Sequence, residues 1–209
     1  MGATAANDCA MTPAPTVADA LAAFFEANGL PSDGGYSDPL FTVKLGPLPL
    51  ALPNGRGRRR AVRFHDLHHI ITGHQTNFRG EAENAAWELG GGCGTYLAAW
   101  MLALMALGPG LLCWPRRTWQ AFVAGRRSGN LYGVDDQELI NSTIGELRHQ
   151  LGMDDPQRHE ANVSDFVLFA VTSLAAVPVA AGGFLLSLVL MPVAACRRRH
   201  TVAPGSPPF

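Results

Sequence analysis

A mostly α-helical single domain, with a helical-hairpin metal site and a C-terminal apolar segment that associates with membrane, is the fold class this sequence predicts. Three observations predict it. Apolar residues recur at helical spacing in segments bounded by capping residues and glycines. No sustained alternation of apolar and polar residues marks a half-buried strand. The run from Phe166 to Cys196 contains no charged residue and ends on Arg197, Arg198 and Arg199. A chain of 209 residues suits one domain with an appendage, because two domains of half that size would each have a thin core. The expected division is a flexible N-terminus over 1–15, a helical domain over 16–155 and an apolar segment with a basic tail over 156–209.

Taken in order, Thr16 is placed to cap a short amphipathic helix, "VADALAAFFEANG", that turns Val17, Leu21, Phe24 and Phe25 to the core and stops at Gly29. Residues 29–57 are rich in Gly and Pro and predict a packed loop, with "FTVKLGPLPLAL" extended across an apolar surface. A helix over Ala61 to Thr72 closes at Gly73, and a second, capped by Asn77, runs to about Leu89, so the two form a hairpin. Tyr96 to Leu107 reads as an apolar helix ended by "GPG", and Pro115 suits the first turn of the next. Asp135 or Asp136 begins an amphipathic helix to Leu151, with Leu139, Ile140, Ile144, Leu147 and Leu151 on one face.

Formal net charge is −1, which gives no electrostatic footprint for nucleic acid. The four cysteines are far apart and form no metal-finger spacing, so buried thiols in a reducing compartment are expected. The N-terminus has neither a basic n-region nor an apolar h-region, and Ala6 breaks the myristoylation pattern, so the expected location is cytoplasmic. The apolar C-terminal run adds attachment to the cytoplasmic face of a membrane, peripheral or anchored. A straight helix of its length would measure about 46 Å, more than a ~30 Å hydrocarbon core, and Pro178 with Gly182 and Gly183 is expected to break it.

The stretch "RFHDLHHIITGHQTNFRGEAENAAWELGGG" concentrates the chemistry. At about 100° per residue, His65 and His69 lie about 40° apart on one helix face, one turn from each other, with Asp66 on the flank. Two imidazoles at this spacing form a metal-binding pair, and Asp66 is placed either to ligate or to orient a ring from behind. Glu81, at the start of the second helix, approaches across the hairpin. Imidazole and carboxylate donors suit a divalent ion, Zn²⁺ first, with Fe²⁺, Co²⁺ or Mn²⁺ as the others. His68 and His74 point elsewhere and fall outside the donor set. The plainer alternative makes the histidines and the row Glu81, Glu83 and Glu88 two solvated helix faces. A third reading, the HxxHH box of membrane di-iron enzymes, needs about eight histidines, and His149, His159 and His200 stand alone.

The run His65, Asp66, two residues, His69, eleven residues, Glu81 resembles the HDxxHx11E motif of the Coq-four family of ubiquinone (coenzyme Q) biosynthesis proteins. Gly73, Thr76, Asn77 and Gly80 match that family's GxxTNxxGE segment, and Gly125 to Met153 is similar to its C-terminal region. The resemblance covers Ala61 to Met153, and Phe166 to Phe209 departs from it. It implies a Coq-four-like helical domain holding a divalent metal through His65, Asp66, His69 and Glu81. The activity it implies is metal-dependent decarboxylation of a polyprenylated hydroxybenzoate, a carboxy-lyase reaction with or without oxidation and hydroxylation at ring carbon C1. The implied partners are the quinone precursor, membrane lipid and other enzymes of the pathway. The alternative function is a non-catalytic lipid-binding scaffold that organises those enzymes.

Overall fold

The computed structural model describes residues 14–45, 48–154 and 160–201, without side-chain detail at 41–45, 48–52, 136 and 193–201. Most of the expected N-terminal segment and the expected boundary at 155–156 lie outside the described residues. The fold is mostly helical, one helical domain with one apolar C-terminal helix.

Helix α1, Val17–Ala27, starts on a capping box in which Thr16 and Asp19 satisfy each other's backbone N–H groups. Strands β1, Leu40–Leu45, and β2, Leu48–Pro53, then pair antiparallel from Leu40↔Pro53 to Leu45↔Leu48. The packed loop expected here is therefore a hairpin. Its prolines are tolerated because both strands of a two-stranded sheet are edges, where a missing N–H costs no ladder bond.

Helix α2, Arg56–Thr72, begins five residues before the expected start and ends at Gly73 in the left-handed conformation. Helix α3, Phe78–Gly91, is capped by Asn77 and is the central element, packing on α2, on α4, Leu97–Cys113, and on α5, Pro115–Arg127. Trp87, Leu107, Phe122 and Ile71 form the heart of the core. Helix α4 runs through "GPG" where a stop was expected. Its glycines serve contact instead: a Cβ at Gly110 would lie 2.7 Å from that of Ala82, and one at Gly108 would lie 3.1 Å from that of Ala180.

After a short 3-10 turn at Leu131–Gly133, the single amphipathic helix expected to Leu151 divides into α6, Asp136–Asn141, and α7, Ile144–Gln150. Thr143 caps α7 with a second capping box and bridges to Thr16, and this break leaves Ile140 exposed while Leu139, Leu147 and Leu151 stay buried.

Helix α8, Val163–Thr201, is continuous through Pro178, Gly182, Gly183 and Pro192, so the expected break does not occur. It is long and apolar enough to cross a membrane, and 11% of its most apolar stretch is buried. Asp165 fixes its first turn to α5 by ion pairs to Arg126, 3.2 Å, and Arg127.

Helices α3 and α5 approach closely in the core, where a Cβ added at Gly125 would stand 2.0 Å from the Trp87 carbonyl oxygen. Only backbone movement relieves such a contact. Gly125→Ala is expected to destabilise the protein by about 1–3 kcal/mol or more, read as a lower denaturant midpoint with an unchanged slope.

Candidate metal centre

The hairpin of α2 and α3 assembles the site. Asn77 Oδ1 accepts the Gly80 N–H at 3.0 Å and fixes the first turn of α3, while a Cβ at Gly80 would fall 1.9 Å from the Gln75 carbonyl oxygen. Only glycine lets the loop close this tightly, and the next residue, Glu81, is thereby turned toward α2.

His65 Nε2 lies 3.2 Å from Glu81 Oε2 and 3.2 Å from His69 Nε2, and His69 Nε2 lies 3.5 Å from Glu81 Oε1. One donor atom from each of the three falls within 4.8 Å of the others, so His65, His69 and Glu81 form a group that can hold a metal ion.

The opposite edges of both imidazoles are already engaged. His69 Nδ1–H donates to the His74 carbonyl at 2.9 Å, and His65 Nδ1–H donates to Glu88 Oε1 at 3.0 Å. Each bond places the proton on Nδ1 and leaves the Nε2 lone pair facing Glu81, the tautomer a ligand requires. A set of two imidazoles and one carboxylate fits Zn²⁺ and its divalent neighbours and leaves further positions for other ligands.

Asp66 stands apart from these three donor atoms. Its Oδ2 accepts the Tyr36 hydroxyl at 2.6 Å, from the loop before β1, and burial raises its carboxyl pKa against the opposing pull of His65 and Tyr36. The structure thus brings together three of the four residues expected at the site and places the fourth beside them, hydrogen-bonded to Tyr36. His68 is outside the group: Nδ1–H donates to Glu88 at 2.7 Å, and Nε2 accepts the Leu131 N–H at 3.1 Å. His74 contributes its carbonyl and not its ring.

Glu88, at 1% exposure, is no part of a solvated face. It joins His65 to His68, and it is the functional residue the sequence reading passed over. The signal was present: Glu88 follows Glu81 by seven residues, about 20° off the same helix face, with Asn84 between them. Asn84 is fully buried and lies within 3.4 Å of His65 Nδ1 and Thr72 Oγ1.

No family model matches the chain, and no curated protein or solved structure matches it. What stands for the site is its own geometry.

A cavity of about 570 Å³ leads away from the site. His65, Glu81 and Glu88 line it together with Arg58 and Tyr132, and most of the remaining lining is apolar, including Leu102, Ala103 and Ala106 of α4. The stretch Leu48 to Leu52, also expected to line a tail groove, lies outside the residues whose side chains are described.

Charge is tightly coupled at this point. Burial favours a neutral His65, but Glu88 and Glu81 outweigh it and raise the imidazole well above its usual 6.5. Burial likewise opposes ionisation of Glu81, but the adjacent His65 and His69 imidazoles hold it down at about 2, and His65 and His68 hold Glu88 well below the usual carboxylate range. Stability from the two carboxylates is present above their usual 4.5 and is lost as pH falls through the depressed values. Stability from protonated His65 is present below 6.5 and is lost as pH rises through the raised value. The metal-free protein should therefore melt highest between about pH 4.5 and 6.5 with respect to these groups. An ion competes with the His65 proton, so metal affinity should rise with pH up to the raised value. Calorimetric titration in two buffers of different ionisation enthalpy would show the released proton.

Proposed function

We propose that the protein is a metal-dependent carboxy-lyase of ubiquinone biosynthesis, acting at a membrane on a polyprenylated hydroxybenzoate. The observation that carries the reading is the meeting of His65, His69 and Glu81 with a long apolar cavity. A ring bearing a carboxylate fits the donor end, and a prenyl tail fits the remainder, whose volume lies in the range of ordinary ligand sites. The motif resemblance names these three residues and adds Asp66, as the fourth ligand or as the residue that positions them.

In the reaction, the bond from C1 to the carboxylate breaks, its electron pair stays with the ring, CO₂ leaves and a proton takes its place. A divalent ion on His65, His69 and Glu81 supplies Lewis acidity toward the substrate oxygens and, if it is a redox ion such as iron, the capacity to use O₂ for hydroxylation at C1. The protein's own groups set the stage. Glu88 holds the Nδ1 proton of His65, the His74 carbonyl holds that of His69, and Tyr36 holds Asp66. The apolar walls exclude water, so charge developing at the ring meets fixed dipoles instead of solvent.

Helix α8 supports the membrane part of the reading, since the segment Val163–Pro192 has a mean hydropathy of 2.2 and its most apolar stretch is mostly unburied. The test is elemental analysis of the detergent-extracted protein followed by CO₂ release from 3-farnesyl-4-hydroxybenzoate. Stoichiometric metal with release supports the lyase; a metal-free, well-folded protein that binds the lipid without turnover would replace it with the scaffold.

A further inference from the structure

The cavity and the outer apolar surface meet at a shared rim. Leu112 of α4 and Val177 and Phe184 of α8 line the cavity, yet they are 86%, 64% and 38% exposed. They straddle the seam where α4 and α8 pack, which is tight at Gly183 against Met105 and at Gly108 against Ala180. No charged residue occurs between Glu88 and Arg116 or from Phe166 to Cys196, so α4 and α8 bring no charge to the mouth, and Arg58 of α2, which also lines the cavity, is hydrogen-bonded to Asn54 Oδ1 at 2.8 Å.

The surface surrounding this rim is broad. On α8, Phe166, Leu168, Val171, Leu174, Leu186 and Val189 are all exposed. At about 100° per residue they span an arc of about 200°, twice the ~100° stripe that a helix offers to a single protein neighbour. An apolar arc of that width, running from Phe166 to Val189 and with an arginine cluster following it, matches a hydrocarbon solvent and exceeds what a partner helix would cover.

We infer that the cavity opens sideways into the hydrocarbon of a phospholipid bilayer, between Leu112, Val177 and Phe184, so that α8 is at once membrane anchor and wall of the entrance. Lipid then reaches His65, His69 and Glu81 without crossing water. The inference rests on the lyase reading for the identity of what enters, and on the geometry alone for where the mouth lies.

The test places a nitroxide at Leu112→Cys, at Val177→Cys and, as a control, at Glu26→Cys on exposed α1. Each is made in the full chain with Cys9, Cys113 and Cys196 changed to serine and Cys93 to alanine, reconstituted in phosphatidylcholine vesicles. The expected result is fast relaxation by dissolved oxygen and loss of relaxation by a water-soluble nickel chelate at 112 and 177, with the reverse at 26. Nickel-chelate relaxation at 112 and 177 equal to that at 26 would place the mouth in water and overturn the inference. Val177→Trp narrows the entrance: uptake of 3-farnesyl-4-hydroxybenzoate from vesicles should fall while bound metal stays at the wild-type level, and unchanged uptake counts against the portal. Lipid-embedded labels together with no CO₂ release would sink the lyase reading and leave the entrance standing.

Discussion

His65→Ala and Glu81→Ala are each expected to empty the site of metal while the protein stays helical. Both side chains are partly exposed, at 25% and 31%, so truncating either opens no large void in the core built around Trp87 and Phe122. Each removes one of three donors, and the two that remain cannot close a coordination shell. Metal should drop from near stoichiometry to background in both variants, with unchanged circular dichroism, and CO₂ release should fall by at least about a hundredfold. Product formation at the wild-type rate in a metal-free variant would show that the ion takes no part in turnover.

The second large effect is expected at Glu88, which would act on an ion held by His65, His69 and Glu81 only through His65. Glu88→Gln keeps the shape and one acceptor oxygen but removes the negative charge that holds the His65 Nδ1 proton. Metal affinity should weaken by about 10–100-fold, measured by competition with a chelator. Glu88→Ala goes further, because the fully buried His68 Nδ1–H then lacks its acceptor, a cost of about 1–3 kcal/mol before any cavity term. A denaturant midpoint that falls for Ala and holds for Gln would separate the structural duty of Glu88 from its service to the metal. Equal midpoints and unchanged affinity in both would remove Glu88 from the site altogether.

Much of this was legible in the sequence wherever local chemistry decides structure. Thr16, Asn77 and Pro115 announced their helix starts because a cap or a missing N–H acts within one turn. His65 and His69 showed themselves as a pair because their spacing is that of the helix. Reading failed where a residue answers to something distant. Gly108 and Gly110 looked like a stop, but they let α8 and α3 come close. Ser142 and Thr143 broke a helix whose apolar stripe ran on, because Ser142 accepts the Val17 N–H across the fold. The prolines before Asn54 hid a hairpin that needs few ladder bonds. Glu88 entered only in the alternative of a solvated face, with Glu81 and Glu83, since nothing near it in the chain reveals that His65 and His68 both turn to it.

The bond from the Leu131 N–H to His68 Nε2 joins residues 63 apart, whereas His65 and Glu81 are 16 apart. Closing the shorter loop costs about 1 kcal/mol less chain entropy. The three donors can therefore find one another while the remainder of the domain is still assembling, and an ion captured then would act as a folding nucleus, with Glu88 closing behind it in the same hairpin and the Leu131 N–H fixing His68 only when the later elements arrive.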